Sequence, residues 1–177
     1  MQAMDEASLR FLLRVTARIS FAFCLGAFIS GALQTFRPGN LAAWLVRNCD
    51  RFLMVLGVSH LVHLAGVISL AVTIGWPPFI KEITVPVLIG GNIIFLLTYA
   101  VALGALARQM GWNWSLARSP RFESFALYAI MVDFTGGFVT RIPDSMLYIL
   151  PSAIAIGALA LRIAAHIRRA RTSGATA

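Results

Sequence analysis

The residues best suited to chemistry are His60 and His63, in the run Ser59-His60-Leu61-Val62-His63. Three residues apart on a helix, their imidazoles share one face. Both fall inside a long apolar segment, where an ionisable side chain is costly and therefore a functional candidate. Asp133, Asn92 and, nearer a segment end, Glu123 complete the set of polar residues in such segments. His63 and Asp133 each lie about eleven residues in from the more basic end of their segments. At 1.5 Å per residue that is roughly 16 Å, so the two match in depth. Asn92 follows at about fourteen residues. The spacing predicts a polar cluster of His60, His63, Asn92 and Asp133, with His63 and Asp133 facing each other. An inward carboxylate is spared a cost of about 2.5–3.5 kcal/mol at mid-bilayer.

Three chemistries suit that cluster. Neutral imidazole is an axial ligand of b-type haem held between membrane helices. A proton relay or quinone-type site is the second, and a plain His–Asp hydrogen bond between helices is the third. A haem here would depend on His63, with His60 the second candidate. Opposite axial ligands must approach from opposite sides of the porphyrin, which two histidines on one helix face cannot do. The sixth position would fall to water, to Met131 or to a histidine of a neighbouring subunit. The third histidine, His166, belongs to the basic C-terminal stretch. No catalytic constellation accompanies these residues: there is no plausible Ser/His/Asp arrangement, no phosphate loop and no carboxylate-rich metal site. Gly90-Gly91 lacks the preceding strand of a dinucleotide fingerprint.

The elements that must position these residues are membrane helices. Of 177 residues, 59% are hydrophobic and only 12% charged, about half the charged share of a soluble domain. Mean hydropathy is +0.80. Five apolar segments stand out, at about 19–36, 52–74, 85–106, 122–140 and 145–163, each near the roughly 20 residues needed to span a bilayer. Continuous rather than alternating apolar runs exclude a β-barrel. The expected fold is an all-α polytopic bundle of about five transmembrane helices in a single domain. Little length remains for a separate flavin or nicotinamide domain, and the tail at 172–177 is expected to be disordered.

Arg37-Pro38-Gly39-Asn40, Gly75-Trp76-Pro77-Pro78 and Ile142-Pro143-Asp144 punctuate the segments as helix breakers. Residues 7–17, with Arg10, Arg14 and Arg18 at four-residue spacing, read as a short amphipathic stretch at the interface. Arg-rich flank, apolar core and Ser30-Gly31-Ala32 also match a cleaved signal peptide, but the retained helix is preferred. Gly26, Gly31, Gly90-Gly91, Gly136-Gly137, Ala153 and Gly157 are the positions where helices are expected to approach closely. Cys24 and Cys49 are not expected to pair.

The net charge of +8 does not indicate nucleic acid, because the cations fall between apolar segments and meet anionic lipid. Five spans divide the fifteen Lys and Arg residues ten to five. The ten are Arg37, Arg47, Arg51, Arg108, Arg118, Arg121, Arg162, Arg168, Arg169 and Arg171; the five are Arg10, Arg14, Arg18, Lys81 and Arg141. This predicts a cytoplasmic C-terminus in a bacterial inner membrane. Trp44, Trp112 and Trp114 lie beside the richer loops and Trp76 at the other end, as in an aromatic belt.

Three stretches resemble the ferric reductase-like transmembrane domain, a family that includes the haem-binding membrane subunit of the methionine sulfoxide reductase system. They are Arg-Val-Thr-Ala-Arg-Ile-Ser-Phe at 14–21, the arginine-led helix at 47–66 with its two histidines, and 121–141, ending Phe138-Val139-Thr140-Arg141. The resemblance implies membrane helices holding haem b through histidines on two helices, and electron transfer from a flavoprotein. It also implies a histidine early in the fourth helix, where this chain reads Phe122-Glu123-Ser124-Phe125-Ala126-Leu127-Tyr128 and places Glu123 at that position. A carboxylate is a poor ligand for low-spin haem. Two functions therefore stand: a b-type haem electron-transfer component, or a haem-free structural or accessory subunit of a larger membrane complex. Either sits in lipid and meets a membrane protein partner or a second copy of itself.

Overall fold

The first helix, α1 (Glu6–Phe36), starts where Asp5, extended at φ −71° and ψ 164°, accepts a 2.8 Å hydrogen bond from Ser8 N–H through its carboxylate. That N-cap satisfies an amide the helix leaves open. No proline interrupts the next 31 residues, so the stretch expected to lie apart at the interface, residues 7–17, is continuous with the first span. This computed structural model describes residues 5–83, 85–113 and 119–174.

The chain then forms α2 (Asn40–Arg47), α3 (Cys49–Ile74), α4 (Trp76–Glu82), α5 (Val85–Gln109), α6 (Pro120–Val139) and α7 (Ile149–Gly174). No strand occurs among the described residues. Five helical stretches are long and apolar enough to cross a membrane: Glu6–Phe36, Cys49–Ile74, Val87–Gln109, Pro120–Asp144 and Met146–Thr172. The chain is an all-α integral membrane protein.

The breakers act as expected, with two additions. Gly75, at φ +87°, ends α3 in a conformation open to glycine. Pro77 and Pro78 then fall in the first turn of α4, where a missing N–H costs nothing. Asn40 likewise opens the short helix α2 instead of a bare turn. Two 3₁₀ turns, Ile142–Asp144 and Met146–Tyr148, separate α6 from α7. Helix α7 outlasts its expected end at 163 by about three turns, because 164–171 is rich in alanine and arginine, both strong helix formers. It includes 172–174 of the expected tail; 175–177, like Trp114 and Arg118, lie outside the described residues.

Helix α1 packs along α3 and touches α6 and α7; α5 bridges α3 and α6, and α6 packs on α7. The helices form a closed ring of five, with α1 and α6 also meeting across it. Phe28, Leu53, Leu56, Leu127, Ile130 and Met131 fill its centre, each fully buried. Lipid is as apolar as leucine, so close packing rather than water exclusion holds this core together.

The closest helix approaches are not at the glycines singled out by sequence. A Cβ built on Gly57 would meet Ala102 Cβ at 2.5 Å, and one on Gly66 would meet Leu13 Cδ2 at 3.0 Å. Gly26 does lie against the Phe52 ring at 3.3 Å, and Gly31 near Arg169 at 3.7 Å. Gly90, Gly91, Gly136, Gly137 and Gly157 have nothing within 4 Å, and Ala153 is exposed.

Candidate functional site

The histidine face of α3 is built from its neighbours on α1, α5 and α6. Thr16 on α1 faces His63, with Oγ1 2.8 Å from Nδ1. The same hydroxyl lies 2.8 Å from Leu12 O. A hydroxyl has one proton; given to Leu12 O, it leaves a lone pair to accept from His63 Nδ1–H. That tautomer leaves His63 Nε2 as the unprotonated nitrogen. One turn along, Ser20 and Ser59 share a short hydroxyl–hydroxyl hydrogen bond, and Ser59 Oγ is 3.4 Å from Thr16 O. The α1–α3 seam is thus a run of paired small polar groups.

His60 is 7% exposed, and its surroundings are aromatic. Phe95 on α5 lies 5.3 Å from its ring and Phe134 on α6 lies 6.1 Å away, both edge-on. His63 is 6.1 Å from His60 and 6.2 Å from Phe95. His60 Nδ1 has no hydrogen-bond partner among the described residues, nor do Thr98 Oγ1 and Tyr99 OH on α5. Thr98 and Tyr99 were missed by a reading confined to His, Asp, Glu and Asn, and Tyr99 joins this face by stacking on Phe95 at 6.2 Å.

The expected cluster does not assemble. Asp133 is exposed and has no hydrogen bond or ion pair among the described residues. It does not meet His63. Asn92 is exposed too, and its amide donates at 2.8 Å to Leu88 O on its own helix. The correction is one of azimuth. Residue counts set depth, but each residue turns a helix by 100°. Asp133, seven residues after Ala126, falls at the edge of the inward stripe of Ala126, Leu127, Ile130 and Met131 and is exposed there, and Asn92 lies almost opposite Thr98 and Val101.

Glu123 lies elsewhere. It begins α6 at the other end of the bundle, 2.8 Å from Arg108 on α5. Arg108 also donates to Asp50 on α3, through Nε at 3.0 Å and through Nη2. One guanidinium thereby joins three helices. Arg162 of α7 donates at 2.6 Å to Phe28 O and at 3.3 Å to Ser124 Oγ, with its guanidinium over the Phe28 and Tyr128 rings. Sequence reading assigned neither arginine a role beyond topology. Met131 is fully buried in the core and His166 is exposed.

The donor set can be tested against haem. Two axial imidazoles must face each other across the macrocycle. His60 and His63 approach from one helix face, and α1, α5 and α6 present no histidine. The faces of His60 are taken up by edge-on contacts with the Phe95 and Phe134 rings, at 5.3 and 6.1 Å, and not by a second imidazole. These residues do not fit a bis-histidine haem. Comparison with known proteins finds no matching family model, no matching curated protein and no matching solved structure.

Proposed function

We propose that this membrane protein is a haem-free accessory subunit of a larger membrane complex, built on a ferric reductase-like arrangement of helices. The observation that carries this reading is Asp133, an exposed carboxylate at the edge of the inward stripe of a spanning helix, with no partner among the described residues. Such a group is costly against hydrocarbon, and a neighbouring membrane protein that supplies a donor or cation relieves that cost. The open glycines beside it, Gly136 and Gly137, would let another helix come close. The rival reading, an electron-transfer subunit with haem b, is supported by His63 Nε2 alone.

The orientation proposed is a cytoplasmic C-terminus in a bacterial inner membrane. Arg162 touching α1 at Phe28, Arg169 touching it at Gly31, and the Arg108 junction gather the cation-rich loops at one end of the bundle. Retention of such loops on the cytoplasmic side follows the positive-inside rule.

The test is purification from haem-replete cells in mild detergent, with a Soret spectrum and native electrophoresis on the same sample. The expected result is no stoichiometric Soret band, and a high-mass complex that Asp133→Leu reduces to the single chain. One haem per chain, lost in His63→Ala, would instead establish the electron-transfer reading.

A further inference from the structure

The end of the bundle where α7 outlasts α1 carries a second feature, unconnected with the histidines. The two helices run side by side there, joined by the hydrogen bond from Arg162 to Phe28 O and by Arg169 Nη2 donating at 3.2 Å to Gly31 O. Helix α1 stops at Phe36 while α7 continues. The step between them is a groove of about 440 Å³ lined by Phe36, Ala164, Ile167, Arg168, Arg171 and Thr172. Its floor is apolar and its rim carries two guanidinium groups. No carboxylate lines it, and the acidic groups nearest this end, Asp50 and Glu123, are both engaged by Arg108.

We propose that this groove binds an anionic glycerophospholipid. Guanidinium groups present paired N–H donors that match a phosphodiester, and Arg168 and Arg171, one turn apart on α7, rise from one face. Arg168 lies 5.4 Å over the Phe36 ring, which places its charge directly above apolar surface. Phe36 and Ile167 are 39% and 47% exposed, and Ala164 leaves room between them for an acyl chain. A phosphate alone uses only the rim, and a neutral lipid only the floor. An anionic phospholipid at the membrane boundary uses both, which basic pockets between transmembrane helices are suited to do.

The test is retention of phosphatidylglycerol by detergent-purified full-length protein, read by native mass spectrometry. Phosphatidylcholine and inorganic phosphate serve as competitors. Wild type is expected to retain one phosphatidylglycerol that neither competitor displaces. Arg168→Gln/Arg171→Gln should weaken retention about thirtyfold. Ala164→Leu, with both arginines intact, should also reduce it by filling the floor. Arg47→Gln/Arg51→Gln, which removes two cations from the same end outside the groove, should leave it unchanged, and far-ultraviolet circular dichroism checks that each variant is helical. Equal loss in the two double variants would make the attraction diffuse and sink the site. Displacement by phosphate would reduce it to an anion site, and displacement by phosphatidylcholine to an acyl contact; either overturns the proposal.

Discussion

Arg108 and Asp133 are charged residues on neighbouring spanning helices, α5 and α6, and the bundle treats them in opposite ways. Arg108 is enclosed by two carboxylates from two other helices; Asp133 is exposed and has no partner among the described residues. The inward side repeats the first pattern at Thr16–His63 and Ser20–Ser59. The outward side repeats the second at Asn92, which turns back to its own backbone. Inward polar groups hold helices to one another, and their loss should cost stability. Asp133 and Asn92 join no second helix among the described residues, so a role for them is sought in what lies beside the bundle.

The largest expected effect is at the three-helix junction. Arg108→Met leaves Asp50 and Glu123 facing each other without a cation. Removing one partner of a fully buried pair costs about 3–5 kcal/mol. Here the three side chains are 26% to 32% exposed, so water screens part of the loss and about 2–3 kcal/mol is expected. Adding Asp50→Asn and Glu123→Gln to Arg108→Met should recover part of it. Denaturation by SDS from mild detergent measures both. If Arg108→Met unfolds within about 0.5 kcal/mol of wild type, the junction is ornamental and the inward–outward contrast loses its main support.

Next comes a pair of identical substitutions on opposite sides. Gly57→Ala places a methyl 2.5 Å from Ala102 Cβ, and forcing helices apart in a packed core costs about 1–3 kcal/mol. Gly137→Ala meets nothing within 4 Å, so better helix propensity makes it neutral or stabilising by up to about 1 kcal/mol. The ordering of the two unfolding midpoints decides the matter, and the reverse order would break the comparison.

These contrasts also mark what the sequence made legible. The number of spans and their breakers depend on position along the chain, which residue counting gives directly. Azimuth depends on where neighbouring helices lie, and a uniformly apolar span has no strong stripe to announce it. The same loss of phase hid Gly57 among many small residues and drew attention to Gly90, Gly91, Gly136 and Gly137, where an added Cβ would meet no other part of the described structure within 4 Å. Thr16 was legible as a residue but not as a partner of His63, because that contact joins positions 47 apart in sequence.

Thr16→Val tests that partner. Valine keeps the shape and removes the hydroxyl, taking away the Thr16 partner of His63 Nδ1 and leaving the Leu13 backbone beside it. A hydrogen bond of this kind contributes about 0.5–1.5 kcal/mol net, and a loss of about 1 kcal/mol is expected. Ser20→Ala at the neighbouring pair supplies the comparison within the same seam. No shift in either variant would mean that the α1–α3 seam is held by packing alone.

The smallest effect is expected where an inward match reaches the membrane boundary. Arg10 grips Glu82 of α4 with two hydrogen bonds, at 2.6 and 2.9 Å, and touches Glu6 at 2.8 Å. The Arg10 guanidinium holds the Glu82 carboxyl below its ordinary value of 4.5. A carboxylate whose folded-state value is depressed contributes stability above its unfolded value. That contribution is lost as pH falls through the lowered value, so the window lies below 4.5. The pair is largely exposed, and exposed ion pairs contribute about 0.2–1 kcal/mol, less at high salt. Glu82→Gln should lower the unfolding midpoint slightly at neutral pH and not at all once wild-type Glu82 is protonated. The two stability curves should therefore converge on acidification, and added salt at neutral pH should narrow the same gap. Parallel curves down to acidic pH would show that Arg10 and Glu82 meet without holding α1 to α4.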